Sequence, residues 1–487
     1  MLRSLLRTKS VEQSIAEADE PIYRLKRRLG ARDLTVFGVG IIVGTGIFVL
    51  TGQQAARNAG PAVVLSFLLA GAVCALVALC YAEFASTLPV AGAAYTFSYA
   101  TLGELIAWII GWDLMLELGL AAGVVARGWS AYLHDLLNLP DSVAGDTARP
   151  DWAAIFIVVV LGVLALLGTK LSGRVTTVLV AVKVAVLLLV IALGTFLIKA
   201  ANYTPFVPPA QPAEKQSGGS APLLQVLLGV TPQHFGVFGI LAAASIVFFA
   251  YIGFDVVATT AEETRNPQRD MPRGILASLV ICGVLYMTVS FIITGMAHYT
   301  RLDTGAPLAH AFNEAGVPWV AKIVDVGALS GITTVILVLL LGQTRVLFAM
   351  SRDGLLPPAL AAVHPRFRTP WLITLVTTVA VSVLAGLVPL SALAELVNIG
   401  TLFAFVVVCA GVIVLRRTRP DLHRAFRAPG VPWLPALAVL ACLWLMVNLP
   451  VVTWLRFLIW MAIGSVIYLG YGRRHSHLGK SLRTARR

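Results

Sequence analysis

Charge is what this chain has least of. Asp, Glu, Lys and Arg make up 13% of its 487 residues, against 58% hydrophobic, and the mean hydropathy is +0.85. So few charges cannot cover a water-soluble domain of this size, which excludes a soluble globular fold and implies a polytopic membrane protein. Cysteine is also scarce. Cys74, Cys80, Cys282, Cys409 and Cys442 all fall in apolar stretches, are odd in number and show no metal-ligand spacing, so they read as core residues. No metal and no cofactor is expected. The eight histidines, from His134 to His477, lie in or beside loops and make no His-x-x-Glu-His or Cys-His cluster. A membrane-embedded enzyme would need a nucleophile and base, or a metal, inside its spans, and these are missing.

What is present is apolar length. Windows long enough to cross a bilayer recur about twelve times, at 34–51, 62–82, 104–133, 152–168, 175–198, 237–262, 274–297, 318–347, 371–388, 393–415, 431–448 and 452–471. The third and eighth are long for one crossing and are read as single tilted helices with interfacial extensions. The fold class expected is therefore an all-α integral membrane protein of about 12 transmembrane helices.

The net charge of +13 is no sign of nucleic acid binding, because the basic residues are distributed among the connections. It follows the positive-inside rule. Arg3, Arg7, Lys9, Arg24, Lys26, Arg27, Arg28 and Arg32 precede the first window; Arg473, Arg474, Lys480, Arg483, Arg486 and Arg487 follow the last. Alternate connections carry Lys170 and Arg174, then Arg265, Arg269 and Arg273, then Arg352, Arg366 and Arg368, then Arg416, Arg417, Arg419, Arg424 and Arg427. Both termini are expected in the cytoplasm of a cell (plasma or inner) membrane. The N-terminal arm has no apolar segment with a cleavage site, so no signal peptide is expected to be removed.

One charge stands apart. Lys183 lies inside the apolar run 175–198, roughly 12 Å from the cytoplasmic end of its helix at about 1.5 Å per residue, near the middle of a ~30 Å core. It snorkels to the headgroups, pairs statically with a buried carboxylate, or takes up and releases protons, since a low dielectric disfavours the charged amine. An intramembrane charge is a functional hypothesis by default, which favours the last reading.

Two windows are interrupted at corresponding places. The first reads GVGIIVGTGIF, with Gly38, Gly40, Gly44 and Gly46; the sixth reads FFAYIGFD, with Gly253 beside aromatics and a carboxylate. They open two blocks of five spans, and because five is odd the blocks enter the membrane from opposite sides, the pattern of an inverted-repeat transporter with broken helices. Close packing of small residues is the alternative. The division expected is a basic cytoplasmic arm at 1–33, a first five-helix repeat at 34–198, a Pro-, Gly- and Ser-rich extracellular loop at 199–236, a second repeat at 237–415, two additional helices at 416–472 and a basic tail at 473–487. An unwound helix offers free N-H groups at one break and free C=O groups at the other, with dipoles of matching sign. An α-amino acid carries both charges, so the N-H groups of Gly44, Thr45 and Gly46 are expected to face its carboxylate. The carbonyls of Ile42, Phe249, Ala250 and Ile252 are expected to face its ammonium.

Three segments carry a resemblance. GVGIIVGTGIFVLTG at 38–52, AEETRNPQRDMPRGI at 261–275 and RVLFAMSRDGLLP at 345–357 are similar to hallmark segments of the amino acid, polyamine and organocation transporter superfamily. Within it the chain most resembles bacterial cationic amino acid transporters. The resemblance implies a five-plus-five inverted-repeat core with two additional helices, a substrate site at the breaks of the first and sixth spans, and secondary active transport. In proton-coupled relatives a lysine in the fifth span stands where sodium-coupled relatives bind sodium, and Lys183 matches it.

Other membrane charges have candidate roles. Asp113 and Glu117 are four apart on one helix face, and Glu117 is about 20 Å along the helix from Glu104, near mid-membrane. By the same resemblance Glu117 lies near the substrate side-chain pocket and favours cationic amino acids; a protonated or water-facing packing role is the alternative. Asp255 caps or orients the second half-helix or lines the inner cavity. Glu262 and Glu263, with Arg265 and Arg273 or Arg352, read as an inner gate of ion pairs or as solvated loop charges. Arg127, about 9 Å from the end of its span, can snorkel and is assigned no chemistry. The function expected is proton-coupled symport of L-amino acids, with protons and the lipid bilayer as the other partners. An amino acid exchanger and a sodium-coupled symporter are the alternatives, against which a buried amine at Lys183 argues.

Overall fold

The structure, a computed structural model, describes residues 7–8, 29–90, 93–145, 148–168, 173–213, 218–367 and 369–479. Arg3, Lys9, Arg24, Lys26, Arg27, Arg28, Lys170, Arg368, Lys480, Arg483, Arg486 and Arg487, all counted above toward orientation, lie outside the described residues.

The chain is mostly helical because apolar surroundings leave the backbone only itself to hydrogen-bond with. Helix α1 (Ala31–Ile42) ends in a break and is followed by α2, which runs through Gly46–Leu50, Thr51–Gln54 and Ala55–Ala59. Next come α3 (Val63–Thr87), the short α4 (Ala93–Thr101), α5 (Glu104–Leu137), α6 (Trp152–Leu166) and α7 (Gly173–Phe196). A second interrupted helix follows as α8 (Gly236–Val247) and α9 (Phe254–Val257). The remainder is α10 (Pro267–Met296), the short α11 (Pro307–Glu314), α12 (Pro318–Arg352), α13 (Trp371–Leu387), α14 (Leu390–Thr418), α15 (Trp433–Val447) and α16 (Val451–Ile467). Among the described residues eight helices are long and apolar enough to cross a membrane, and α6, α13 and α15 are apolar but shorter.

The centre is built by α5 packed along α12 and α3 packed along α10. Around them, α1 lies on α10 and α8 on α3; α14 lies on α5 and α7 on α12; α6 lies on α13. Small residues set several of these approaches. A Cβ at Gly38 would run into Ser278 of α10, one at Gly40 into Val180 of α7, and one at Gly327 into Val186 of α7.

Several expectations change. The first interrupted helix extends to Ala59, eight residues past its apolar window, because Gln53, Gln54, Arg57 and Asn58 lower the hydropathy without ending the helix. The 199–236 connection carries short elements of its own. It holds the helix Leu223–Leu227 and a two-stranded antiparallel ribbon pairing Gln211 with His234 and Pro212 with Gln233. Arg127 does not snorkel. It is 1% exposed; its guanidinium donates to the carbonyls of Ala385 (2.9 Å), Ala148 (3.1 Å) and Gly386 (3.4 Å) and lies 3.6 Å from Asp151. Asp151 in turn caps α6, accepting from Ala154 N-H at 3.0 Å and from Ser130 at 2.7 Å. Depth alone pointed to snorkelling, but these carbonyls at the α13 end supply acceptors nearer than water. Arg127→Leu is expected to lower stability by about 3–5 kcal/mol, as when one side of a buried pair is removed. The measurement is the thermal midpoint in detergent, and an unchanged midpoint would contradict the network.

Candidate functional site

The two helix breaks meet. Helix α1 stops at Ile42 because Val43 turns extended (φ −73, ψ 97), and α8 stops at a short 3-10 turn, after which Ile252 is extended and Gly253 takes φ +124. That φ suits glycine alone. A Cβ at Gly253 would also lie 3.3 Å from Ile42 N, and one at Gly46 would overlap the Ala250 backbone. Backbone therefore faces backbone across the two breaks. Gly44 differs, since a Cβ there would make only ordinary contact with Val335 at 3.5 Å.

The ends of α1 leave carbonyls without intrahelical donors, and side chains from other helices supply them. Val43 N-H returns to Val39 O at 3.0 Å. The Tyr286 hydroxyl donates to Ile42 O at 2.7 Å. Lys183 is fully buried and donates to Gly40 O, to Val43 O at 3.1 Å, and across to α12 at Gly331 O and Thr334 Oγ1, both 3.4 Å. Its side chain is 0% exposed, and its hydrogen-bond partners among the described residues are backbone carbonyls and a hydroxyl. Its positive charge sits at the negative end of α1, where the helix dipole favours it. Gly331 makes room, since a Cβ there would lie 2.9 Å from the Lys183 Cβ.

At the other break, Asp255, in the first turn of α9, accepts at 3.0 Å from the N-H of Gly253, the residue that caps that helix. Phe249 O accepts from Ile252 N-H at 3.2 Å. Of the carbonyls expected to face an ammonium, Ile42 and Phe249 thus already hold one donor each, and a carbonyl has room for a second. Thr45 turns its hydroxyl to Val125 O at 3.4 Å and packs against Gly128 of α5.

Asp113, Glu117 and Asp255 are 0%, 1% and 4% exposed. Glu117 is within electrostatic range of both of the others, and Tyr81 packs its ring against Phe254 and Phe405, which are close in sequence to Asp255 and Thr401. Thr401 is beside Glu117, but its hydroxyl donates to Val397 O at 3.0 Å. All four oxygens of Asp113 and Glu117 remain without a hydrogen-bond partner among the described residues. Buried carboxylates in that condition call for protons or a cationic ligand.

Among the residues expected at the inner gate, Glu263 has a partner outside the expected set. Glu263 reaches Arg345 at 4.0 Å, both partly exposed, and not Arg265. Arg265 contributes its backbone, donating to Leu29 O at 2.9 Å while Leu29 N-H donates to Glu263 O at 3.0 Å, so the stretch leading into α1 is stitched to the segment after α9. Glu262 and Arg352 are each engaged in interactions as well. Sequence reasoning missed the hub on Glu104, a fully buried carboxylate that accepts from Arg7 (2.6 and 3.0 Å), Tyr99 (3.0 Å), Tyr468 (3.0 Å) and Ser476. It also missed Glu83, held by Arg416 at 2.6 and 2.9 Å. A carboxylate at the edge of an apolar window was the only signal for either.

A family model for amino acid permeases matches residues 29–470, from just before α1 to beyond α16. The chain belongs to the amino acid permease family. This places it in the amino acid, polyamine and organocation transporter superfamily, among transporters and not enzymes. It is 47% identical to a branched-chain amino acid permease of Bacillus subtilis, covering 99% of this chain and 100% of that one. It is 45% identical to a methylthioribose transporter of the same organism, over 98% and 100%. With the vacuolar cationic amino acid transporter 4 of Arabidopsis thaliana it shares 31% identity, over 99% and 97%. Amino acid transport and membrane embedding follow from the family, and the bacterial relatives suggest the cell membrane.

Proposed function

We propose that this permease is a proton-coupled symporter of L-amino acids, cationic ones included, that works by alternating access across the cell membrane. The observation that carries the reading is Lys183, bonded at once to the broken end of α1 and to α12. An ammonium has three protons to donate and a neutral amine two. Losing one, together with the charge that strengthens the rest, therefore weakens the tie between the break and α12. Hydrogen bonds from a charged group are worth about 1.5–3 kcal/mol, enough to move a two-state equilibrium by roughly ten- to a hundredfold. Protonation and the conformation of the substrate site are thereby linked. The amine also occupies the carbonyl cluster that a sodium ion would need, which favours protons over sodium as the coupling ion.

The substrate is an amino acid because two breaks in contact offer N-H groups of Gly44, Thr45 and Gly46 to a carboxylate, and C=O groups of Ile42, Phe249, Ala250 and Ile252 to an ammonium, with no charged side chain required.

A five-plus-five inverted repeat within twelve spans is supported by the packing. Advancing every label by seven sends α1 to α8 and α7 to α14, and it returns the main contacts between the long helices. The pairs α5 with α12, α3 with α10 and α6 with α13 map onto themselves. The contact of α1 with α10 becomes α8 with α3, that of α5 with α14 becomes α12 with α7, and α5 with α13 becomes α12 with α6. The short helices α4 and α11 also correspond, each lying on the long helix that follows it. The helices α6, α13 and α15, about 22–26 Å long by helical rise, cross with flanking turns completing the passage. The basic connections, Arg265 and Arg352 among them, then lie with both termini on the cytoplasmic side.

The 45% identity to a methylthioribose transporter favours a second reading, since a thiosugar has neither carboxylate nor ammonium. Uptake of labelled isoleucine and arginine into proteoliposomes, with unlabelled amino acids and methylthioribose as competitors, separates the two. Accumulation of amino acids under an inward proton gradient is expected; exclusive uptake of methylthioribose would contradict it.

Within the amino acid reading, Glu117 sets the side-chain preference. Glu117→Gln is expected to cost arginine or lysine about 1.5–3 kcal/mol of binding and alanine far less. Competition binding on both proteins tests this, and equal losses would leave the cationic preference unsupported.

A further inference from the structure

We infer that Asn398 is the counterpart of Lys183 in the second half of the molecule, an uncharged positioning residue that holds the broken end of α8 as Lys183 holds the broken end of α1. Asn398 is fully buried in α14. Its Nδ2 donates to Ser245 O at 2.8 Å and to Ile246 O at 3.0 Å, two of the last carbonyls of α8. The label shift that relates the two halves carries α7 onto α14 and α1 onto α8, so a side chain of α7 bonded to α1 has its equivalent in α14 bonded to α8. The registers agree closely. Gly40 and Ser245 each lie nine residues beyond the first residue of their helix, Ala31 and Gly236. Lys183 and Asn398 lie ten and eight residues beyond Gly173 and Leu390. The amide orientation follows from its surroundings, because the reverse would turn Oδ1 onto two carbonyl oxygens.

The chemical difference gives the two positions different tasks. An amide does not titrate, so Asn398 donates its two hydrogen bonds in every protonation state of the protein. The end of α8 is therefore fixed throughout, while the end of α1 is held by a group that gains and loses a proton. Beyond that fixed end lie Phe249, Ala250 and Ile252, whose carbonyls face the substrate ammonium in the reading above, on which this inference rests. Asn398 thus governs affinity for the backbone common to all amino acids, and Lys183 governs coupling. The Asn398 Oδ1, buried and without a partner among the described residues, remains able to accept one more hydrogen bond at the same place.

The test compares wild type, Asn398→Asp and Asn398→Leu in proteoliposomes at neutral pH. Asp keeps the shape but sets a carboxylate against two carbonyls, and Leu keeps the volume without a donor, so a fold defect in one leaves the other to read. Apparent affinity for isoleucine and for arginine is expected to fall at least tenfold together. Counterflow at saturating substrate should stay within twofold of wild type, and a proton gradient should still drive accumulation. Affinities within twofold of wild type would overturn the assignment. So would unchanged affinity with loss of proton-driven accumulation, which would make Asn398 a coupling residue. Wild type is assayed first, and its failure to bind any amino acid would overturn the functional reading itself.

Discussion

Proteoliposomes carrying Lys183→Ala are expected to exchange internal for external amino acid while no longer accumulating it under a proton gradient. The ammonium is the tie between α1 and α12, and alanine removes its donors to Gly40, Val43, Gly331 and Thr334 at once. Among the described residues nothing else that titrates is bonded to those carbonyls. The Ile42 carbonyl keeps its donor from Tyr286, and the breaks still meet at Gly46 and Ala250, so a substrate site survives. The tie is then absent at every pH, and a proton gradient has nothing to act on. Counterflow and pH-driven uptake measured on one preparation separate the two properties. Retained accumulation at wild-type level would contradict the role given to Lys183.

The second large effect concerns two glycines that sequence alone treats alike. Gly46→Ala is expected to reduce binding of every amino acid at least tenfold, because the added methyl meets the Ala250 backbone and forces the two breaks apart. Backbone has nowhere to rotate away, unlike the tip of a flexible side chain. Gly44→Ala is expected to stay within about threefold of wild type, its methyl in ordinary contact with Val335, a gap consistent with the ~1 kcal/mol cost of a mild packing change. Binding of a neutral and a cationic amino acid to both variants checks this. A loss confined to one side-chain class at Gly46 would mean that the carboxylate is held elsewhere.

The parts of the site legible in sequence were those that depart from their apolar surroundings. Lys183 stood out as a charge deep in an apolar run, and the paired glycine interruptions marked α1 and α8. Which glycine does what was not legible. Gly38 and Gly40 accommodate Ser278 and Val180, Gly46 faces the other break, and of the glycines at the two interruptions Gly253 alone has a backbone that demands glycine. Polar residues whose meaning lies in distant partners were missed for the same physical reason. Asn398 is an unremarked amide in an apolar helix until α8, 153 residues away, brings it two carbonyls. Glu104 becomes a hub only when Arg7 and Ser476, at opposite ends of the chain, arrive beside it. The gate pairing of Glu263 with Arg345 likewise depends on how α12 sits against the segment after α9. Helix extent was underestimated where polar residues continue a helix past its apolar window, as in α2.

The most direct measurement is substrate-driven proton movement. Proteoliposomes loaded with a pH-sensitive dye, free of sodium and held at zero membrane potential, are given isoleucine or arginine at equal internal and external pH. The expected result is lumenal acidification that follows amino acid entry in wild type and is absent in Lys183→Ala. Amino acid entry in wild type with no change in lumenal pH, or entry that requires sodium, would contradict proton coupling through Lys183.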